Sequence, residues 1–288
     1  MLRLMAAISR TDFYTNRHSK SMQTDQTRSL SETINFSGQV ALITGGSKGV
    51  GLGITLRFLE AGAMVYICGR NTPENPPPAV GDNTAKFISA DVRDIEQAQA
   101  MFDQIKAEAG RLDILVNNAG GAPHADAATV SPRFSESIIK LNLLAPINLS
   151  QMANAIMQSQ ASGGSIINIA SVSVIRPSPG TAAYGAAKAG IVNFCSSVAV
   201  EWAPKVRVNA IIAGLVRTEQ SELHYGDEAG IEAVGETIPL GRMANPQDIG
   251  DACIFLGSSL SSYVSGSTVT VHGGGEAPAF LAASTADN

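Results

Sequence analysis

The chain is short of the residues that mark several functional classes. Its 288 residues include only three cysteines, Cys68, Cys195 and Cys253, far apart in the sequence. They match neither a disulfide framework nor the close ligand pairs of a structural zinc site, so a reducing, cytoplasmic setting is expected. The four histidines have no metal-ligand spacing, and no metal is expected. Charged residues are sparse at 16%, the net charge is −5, and no run of Lys and Arg stands out. That excludes the basic footprint of a nucleic-acid binder. No apolar run reaches the roughly 18 residues needed to cross a bilayer, so no membrane partner is expected. What remains is a chain 44% hydrophobic, with 28 glycines, suited to a globular domain with a large core.

The first 36 residues are polar and rich in Ser and Thr, and read as a disordered extension. Their apolar piece, Leu4 to Ile8, is too short for a secretory signal. Early basic residues hint at an organelle transit peptide, against which Asp12 and Asp25 count, and Met22 is an alternative start. Residues 37–276 read as one domain and 277–288 as a tail.

From Gln39 onward, short apolar runs alternate with helical patterns. Strands are expected at Gln39–Thr44, Met64–Cys68, Lys86–Ser89, Asp113–Val116, Ser165–Ala170, Val206–Ile211 and Ser267–Val271. Helices are expected at Gly49–Gly62, Ile95–Ala109, Arg133–Gln160, Thr181–Ala203 and Pro246–Ser258. This rhythm predicts parallel βαβ units, and so an α/β, Rossmann-type, doubly wound sheet with helices on both faces. The proline-rich stretch Thr72–Gly81 breaks it and reads as a surface loop.

The turn Gly45-Gly-Ser47-Lys48-Gly49-Val50-Gly51 follows the first strand and opens a helix. Glycines there let the backbone approach a pyrophosphate, and the helix N-terminus offers free N–H groups. The same residues satisfy G-x-S-x-G, the nucleophile elbow of an α/β-hydrolase, with Ser47 as nucleophile. Against that reading, no earlier strand supplies an oxyanion-hole loop. After the second strand, Cys68-Gly69-Arg70-Asn71 offers a guanidinium and no carboxylate. Arg70 and Lys48 together suit a ribose 2′-phosphate, which favours NADP(H) over NAD(H).

Tyr184 and Lys188 lie four residues apart on one expected helix face, and Ser171 ends the fifth strand. A lysine ammonium one turn away favours phenolate and lowers the tyrosine pKa from about 10. The serine hydroxyl can hold a carbonyl oxygen beside the phenol.

These features together resemble the short-chain dehydrogenase/reductase family over roughly residues 38–275. The residues that carry the resemblance are Thr44-Gly45-x-x-x-Gly49-x-Gly51, Asp91, Asn117-Asn118-Ala119-Gly120, Asn142, Ser171, Tyr184-x-x-x-Lys188 and Asn209 to Gly214 with Thr218. The resemblance implies an enzyme that interconverts a ketone or aldehyde and an alcohol. It implies Tyr184 as general acid/base, Lys188 tuning it and holding the nicotinamide ribose, Ser171 orienting the substrate oxygen, and Asn142 supporting a proton-relay water. The implied cofactor contacts include Gly45, Ser47, Lys48, Gly49, Val50 and Gly51 in the turn, and Arg70 and Asn71 after the second strand. Asp91 and Val92 would meet adenine, Asn118 and Gly120 the adenosine ribose, and Gly214, Val216 and Thr218 the nicotinamide. A homodimer or homotetramer pairing its long helices is implied too. The stripe Gly185, Ala186, Ala189, Gly190 would allow close packing there, in the subunit or between subunits. A cofactor-sensing protein without turnover is the non-enzymatic alternative.

Three departures stand out: Ala213 in place of a proline before Gly214, the proline loop in place of a helix, and His272 in place of an aspartate. Loops 121–130, 172–180 and 217–240 are expected to form the substrate pocket, the last as a lid. Arg176 and His224 are candidates for binding an anionic group or plain solvated residues, and His124 is read the same way.

Overall fold

The structure is a computed structural model and describes residues 29–283. Residues 1–28 of the expected extension lie outside the described residues; its last part differs from the disordered reading, with a short helix at Leu30–Thr33 and Phe36 buried edge-on against Phe58. Seven parallel strands form the central sheet: β1 (Val40–Thr44), β2 (Met64–Gly69), β3 (Lys86–Ser89), β4 (Ile114–Asn117), β5 (Gly164–Ser171), β6 (Val206–Ala213) and β7 (Thr268–Val271). Their spatial order is β3-β2-β1-β4-β5-β6-β7. The order reverses between β1 and β4, which opens a crevice beyond their carboxyl ends. All seven expected strands are present.

The helices between them are α1 (Gly49–Glu60), α2 (Ile95–Ala109), α3 (Pro132–Ile139), α4 (Ala145–Ser159), α5 (Ala182–Trp202), α6 (Glu222–Tyr225), α7 (Glu228–Glu236) and α8 (Pro246–Gly257). Local chemistry sets their ends. Asp94 caps α2 by accepting from the N–H groups of Glu96 and Gln97, and Gly110 stops it in the left-handed region at φ +71°. Ser131 caps α3 in the same way, ahead of Pro132.

Alternate strand residues serve opposite faces of the sheet. Leu42, Tyr66, Leu115, Ile166 and Val208 pack with Phe102, Ile105, Leu149, Met157 and Cys195 of α2, α4 and α5. Ile43, Val65, Ile67, Val116 and Ile211 pack with Ile54, Phe58, Ile249 and Leu256 of α1 and α8. Each fully buried side chain of this size contributes roughly 1.5–3 kcal/mol. Helices α1 and α8 touch through glycine, since a Cβ on Gly53 would lie 2.4 Å from Pro246.

Three segments differ from the expectation. The long helix is interrupted: a π-helical turn at Lys140–Leu144 separates α3 from α4. The proline loop carries a small antiparallel pairing, Ala79–Val80 with Asn83–Thr84. The lid contains two short helices, α6 and α7, anchored by Ile231, Ile238 and Met243, which pack against Leu215 and Val234. Among the described residues, no helix is long and apolar enough to cross a membrane.

Candidate active site

The turn after β1 is held by glycine for steric reasons. Gly45 adopts φ +66°, and a Cβ on Gly51 would lie 2.1 Å from the Gly45 carbonyl oxygen. Any side chain at 51 would push α1 away from the turn. Lys48 stands at the N-cap of α1 and contributes no side-chain cap. The first N–H groups of the helix are therefore left to partners from outside it.

The ends of β1, β2, β3 and β4 bring the expected cofactor residues to one edge. Thr44 is level with Cys68 in the β1–β2 ladder, so the turn with Ser47, Lys48 and Val50 neighbours the β2 end with Arg70 and Asn71. Lys48 and Arg70 are both exposed there. The Ser89 hydroxyl donates to the Arg70 carbonyl at 3.1 Å. Asp91 and Val92 follow β3. The Asp91 carboxylate accepts from Arg93 Nε at 2.9 Å and from Arg93 Nη2 at 2.6 Å. That pairing holds the carboxyl below its usual range, outweighing partial burial, which acts to raise it. Arg93 was not foreseen from the sequence.

Thr44, at the end of β1, bridges to the segment after β4. Its buried hydroxyl accepts from the N–H groups of Asn118 at 3.0 Å and Ala119 at 2.9 Å. Asn118 Nδ2 donates back to the Thr44 carbonyl at 2.9 Å. The β1 turn and the segment after β4 are thereby stitched together. Beneath them, Asn117 Nδ2 donates to Ser150 Oγ at 3.0 Å and to Asn168 Oδ1 at 2.9 Å.

Asn142 sits in the π turn, fully buried. Its side chain clasps Gly121, donating to the carbonyl at 2.9 Å and accepting from the N–H at 2.9 Å. It also donates to the Ile138 carbonyl at 3.0 Å. Gly120 is held between α5 and this turn: a Cβ there would lie 2.7 Å from Asn142 Oδ1 and 3.2 Å from Lys188 Nζ.

Tyr184 and Lys188 share one face of α5, with the Lys188 ammonium 5.5 Å from the Tyr184 ring centroid. Lys188 Nζ donates to the Ile169 carbonyl on β5 at 2.7 Å. Burial pushes Lys188 down to about 8. Burial also raises the Tyr184 phenol above its usual range, and the nearby Ser171 hydroxyl pulls it partly back. The expected downward shift from Lys188 does not dominate, because Lys188 Nζ is aimed at a backbone carbonyl and the phenol is largely shielded from water. Ser171 ends β5, and its Oγ accepts from Ser173 N–H at 3.3 Å.

On the far side, Gly214 touches β7 so closely that a Cβ would lie 2.7 Å from His272 Cα. This places His272 directly behind the turn that carries Val216 and Thr218. Arg217 N–H donates to Ala244 at 2.8 Å, and Thr218 N–H to Ser221 Oγ at 2.9 Å, so the turn is firmly held. Arg176 is ion-paired with Glu276 at 2.6 Å, which occupies the charge considered for an anionic group. His224 lies in α6, and a Cβ on Gly180 would run into His124, which joins loops 121–130 and 172–180. No histidine hydrogen-bonds Ser47 among the described residues, so the hydrolase reading finds no base. In the small-residue stripe, Gly190 faces Leu143 and Gly185 faces Ser173 within the subunit, while Ala186 and Ala189 are exposed.

A family model described as enoyl-(acyl carrier protein) reductase, of the short-chain alcohol dehydrogenase type, matches residues 45–276. The chain belongs to the short-chain dehydrogenase/reductase family. It is 35% identical over 246 residues to a 3alpha-hydroxysteroid dehydrogenase of Mediterraneibacter gnavus, covering 83% of this chain and 97% of that one. It is 36% identical to the 2-dehydro-3-deoxy-D-gluconate 5-dehydrogenase of Escherichia coli, over 83% of this chain and 96% of the relative. A 3-oxoacyl-[acyl-carrier-protein] reductase of Escherichia coli is 35% identical, over 84% and 98%. Among solved structures, the aldohexose dehydrogenase of Thermoplasma acidophilum superposes with a TM-score of 0.77 at 29% identity, over 83% of this chain and 94% of that one. As a member of this family the protein is an oxidoreductase acting on CH–OH donors.

Proposed function

We propose that this short-chain dehydrogenase/reductase interconverts a ketone or aldehyde and the corresponding alcohol, uses NADP(H) in preference to NAD(H), and employs Tyr184 as general acid/base. The convergence at Gly120 carries the reading. Asn142 Oδ1 and Lys188 Nζ both approach the place where a Cβ on Gly120 would sit, within 3.2 Å, and Tyr184 stands one turn along the same helix face. A dinucleotide suits the crevice: Gly51 lets α1 pack tightly against the turn at Gly45, and the α1 N-terminus lacks a side-chain cap of its own. Bound there, the nicotinamide would supply or accept the hydride.

The remaining work falls to the protein. Arg70 and Lys48 would hold a 2′-phosphate. Ser171 would orient the reacting oxygen. Burial keeps the Tyr184 phenol protonated through neutral pH, the state needed to donate to a developing alkoxide. Lys188, still largely ammonium at pH 7, offsets the charge as the phenol gives up its proton. Asn142, fixed to Gly121, would steady the proton path from Lys188 outward. Ala186 and Ala189, exposed on α5, leave that face free to pair with a second subunit in a dimer or tetramer.

The test is Tyr184→Phe. Turnover of a screened carbonyl substrate should fall by about a hundredfold to ten-thousandfold, the usual contribution of a positioned acid. NADPH binding, read by fluorescence titration, should persist. Near-normal turnover in that variant would remove the assignment. Cofactor binding by the wild type with no turnover across a broad panel of ketones and alcohols would favour the sensing alternative.

A further inference from the structure

Beside Tyr184 lies a cavity of about 210 Å³ that no step above has used. It is bounded by loop 121–130, by α3 and by the first turn of α5, and Tyr184 itself forms part of its wall. The side chains of the wall are mostly apolar, with Ala122, Pro123, Val130, Phe134, Ile138 and Ala183 among them, while Ser135, Thr181, Tyr184 and backbone groups give it a polar share. No charged residue lines it. Some of its polar groups are engaged. Thr181 Oγ1 donates to the Ser178 carbonyl at 3.1 Å, and Ala125 N–H donates to the Gly180 carbonyl at 2.9 Å. Arg176, the cation of loop 172–180, is already paired with Glu276.

We infer that this cavity receives an uncharged hydrocarbon limb of the carbonyl substrate, and that the enzyme selects ketones or secondary alcohols bearing such a limb over polyhydroxylated or anionic ones. The inference rests on the proposed role of Tyr184. Two physical arguments support it. A sugar-like limb would place hydroxyls against mostly apolar side chains, and each hydroxyl left without a partner carries a cost. A hydrocarbon limb gains with every methylene taken out of water. Size sets the limit. At about 30 Å³ for a water-sized group, a cavity of about 210 Å³ holds roughly seven such groups. A limb of about five to seven carbons fills it.

The experiment uses the full chain and a series of 2-alkanones from propanone to decanone, with polyhydroxy ketones of equal length for comparison. Two readouts are taken: kcat/KM with NADPH, and ligand contact with the protein by saturation-transfer NMR. The expected result is a rise of about fourfold in kcat/KM per methylene, levelling off near seven limb carbons, with polyhydroxy ketones far behind. Ala127→Leu, on an exposed part of the cavity rim, should lower the ratio of long-chain to short-chain kcat/KM. Phe134→Ala should move the plateau to longer chains. NMR contact should show the same dependence on chain length.

Turnover that is flat along the series, or that favours polyhydroxy ketones, would overturn the inference and leave the oxidoreductase assignment standing. Chain-length-dependent contact with no hydride transfer would leave the cavity standing and remove Tyr184 as the acid. A series to which both variants respond like wild type would overturn the inference even if long ketones were preferred.

Discussion

Glu219 Oε2 accepts a hydrogen bond from the backbone N–H of Gly49 at 3.2 Å, across 170 residues of sequence. The carboxylate thus supplies the cap that Lys48 does not, at the helix N-terminus where a pyrophosphate would bind. An anionic cofactor must displace this carboxylate or share the helix end with it. Glu219→Gln should therefore tighten NADPH binding about two- to fivefold, the range for one charge at an exposed helix end, and the gain should shrink at high salt. Isothermal titration of wild type and variant at low and high salt checks this. Weaker binding by the variant would mean that Glu219 assists the cofactor.

Cofactor choice should depend on Arg70. The residue is exposed at the end of β2, beside the glycine turn, and no carboxylate from Cys68 to Asn71 competes for a ribose hydroxyl. Arg70→Ala should lower the preference for NADP⁺ over NAD⁺ by about tenfold or more, the worth of a charge-assisted hydrogen bond. Dissociation constants for both cofactors give the ratio directly. An unchanged ratio would move the selection to Lys48 or elsewhere.

Lys188 makes stability depend on pH in a defined window. Burial lowers it from its ordinary 10.5 to about 8. Between these values the unfolded chain binds the proton that the folded chain has lost, so stability rises with pH from about 8 towards 10.5. Below about 8 both states carry the proton, and the cost of burying the ammonium is felt in full. Lys188→Met lacks this titration. Urea midpoints for the protein without cofactor should rise from pH 7.5 to 9.5 in the wild type relative to the variant. Staying below pH 10 avoids Tyr184, whose raised pKa has the opposite effect. Parallel curves for the two proteins would contradict the burial of the charge.

Much of this was legible from the sequence, for physical reasons. The strands of a sheet covered on both faces are continuous apolar runs, so Val40–Thr44 and Ser165–Ala170 announce themselves. Tyr184, Lys188 and Ser171 stand at a distinctive spacing, and the family resemblance adds Asn142. What was not legible arises from contacts remote in sequence. The π turn around Asn142 reflects the grip of its side chain on Gly121, not any local propensity. The Thr44 bridge, the Asp91–Arg93 pair and the Glu219 cap each depend on where another loop lies. The depth of burial that raises Tyr184 and lowers Lys188 is likewise a property of the assembled site.

Gly120 offers the sharpest separation of site geometry from fold. It adopts a backbone conformation open to any residue, so alanine there brings no backbone strain. Its added Cβ would instead press on Asn142 Oδ1 at 2.7 Å and on Lys188 Nζ at 3.2 Å. Both atoms are held: Asn142 by Gly121 and Ile138, Lys188 by the Ile169 carbonyl. Relief requires one of them to move by several tenths of an ångström, and either movement would disturb the proposed proton path to Tyr184. Gly120→Ala should thus lose about a hundredfold in kcat, in line with small misplacements of catalytic groups. Its thermal midpoint should fall by only a few degrees, since overpacking one methyl costs about 1–3 kcal/mol. Steady-state kinetics beside a thermal melt decide the matter. A large fall in the melt with kcat preserved would show that Gly120 serves the fold and not the chemistry.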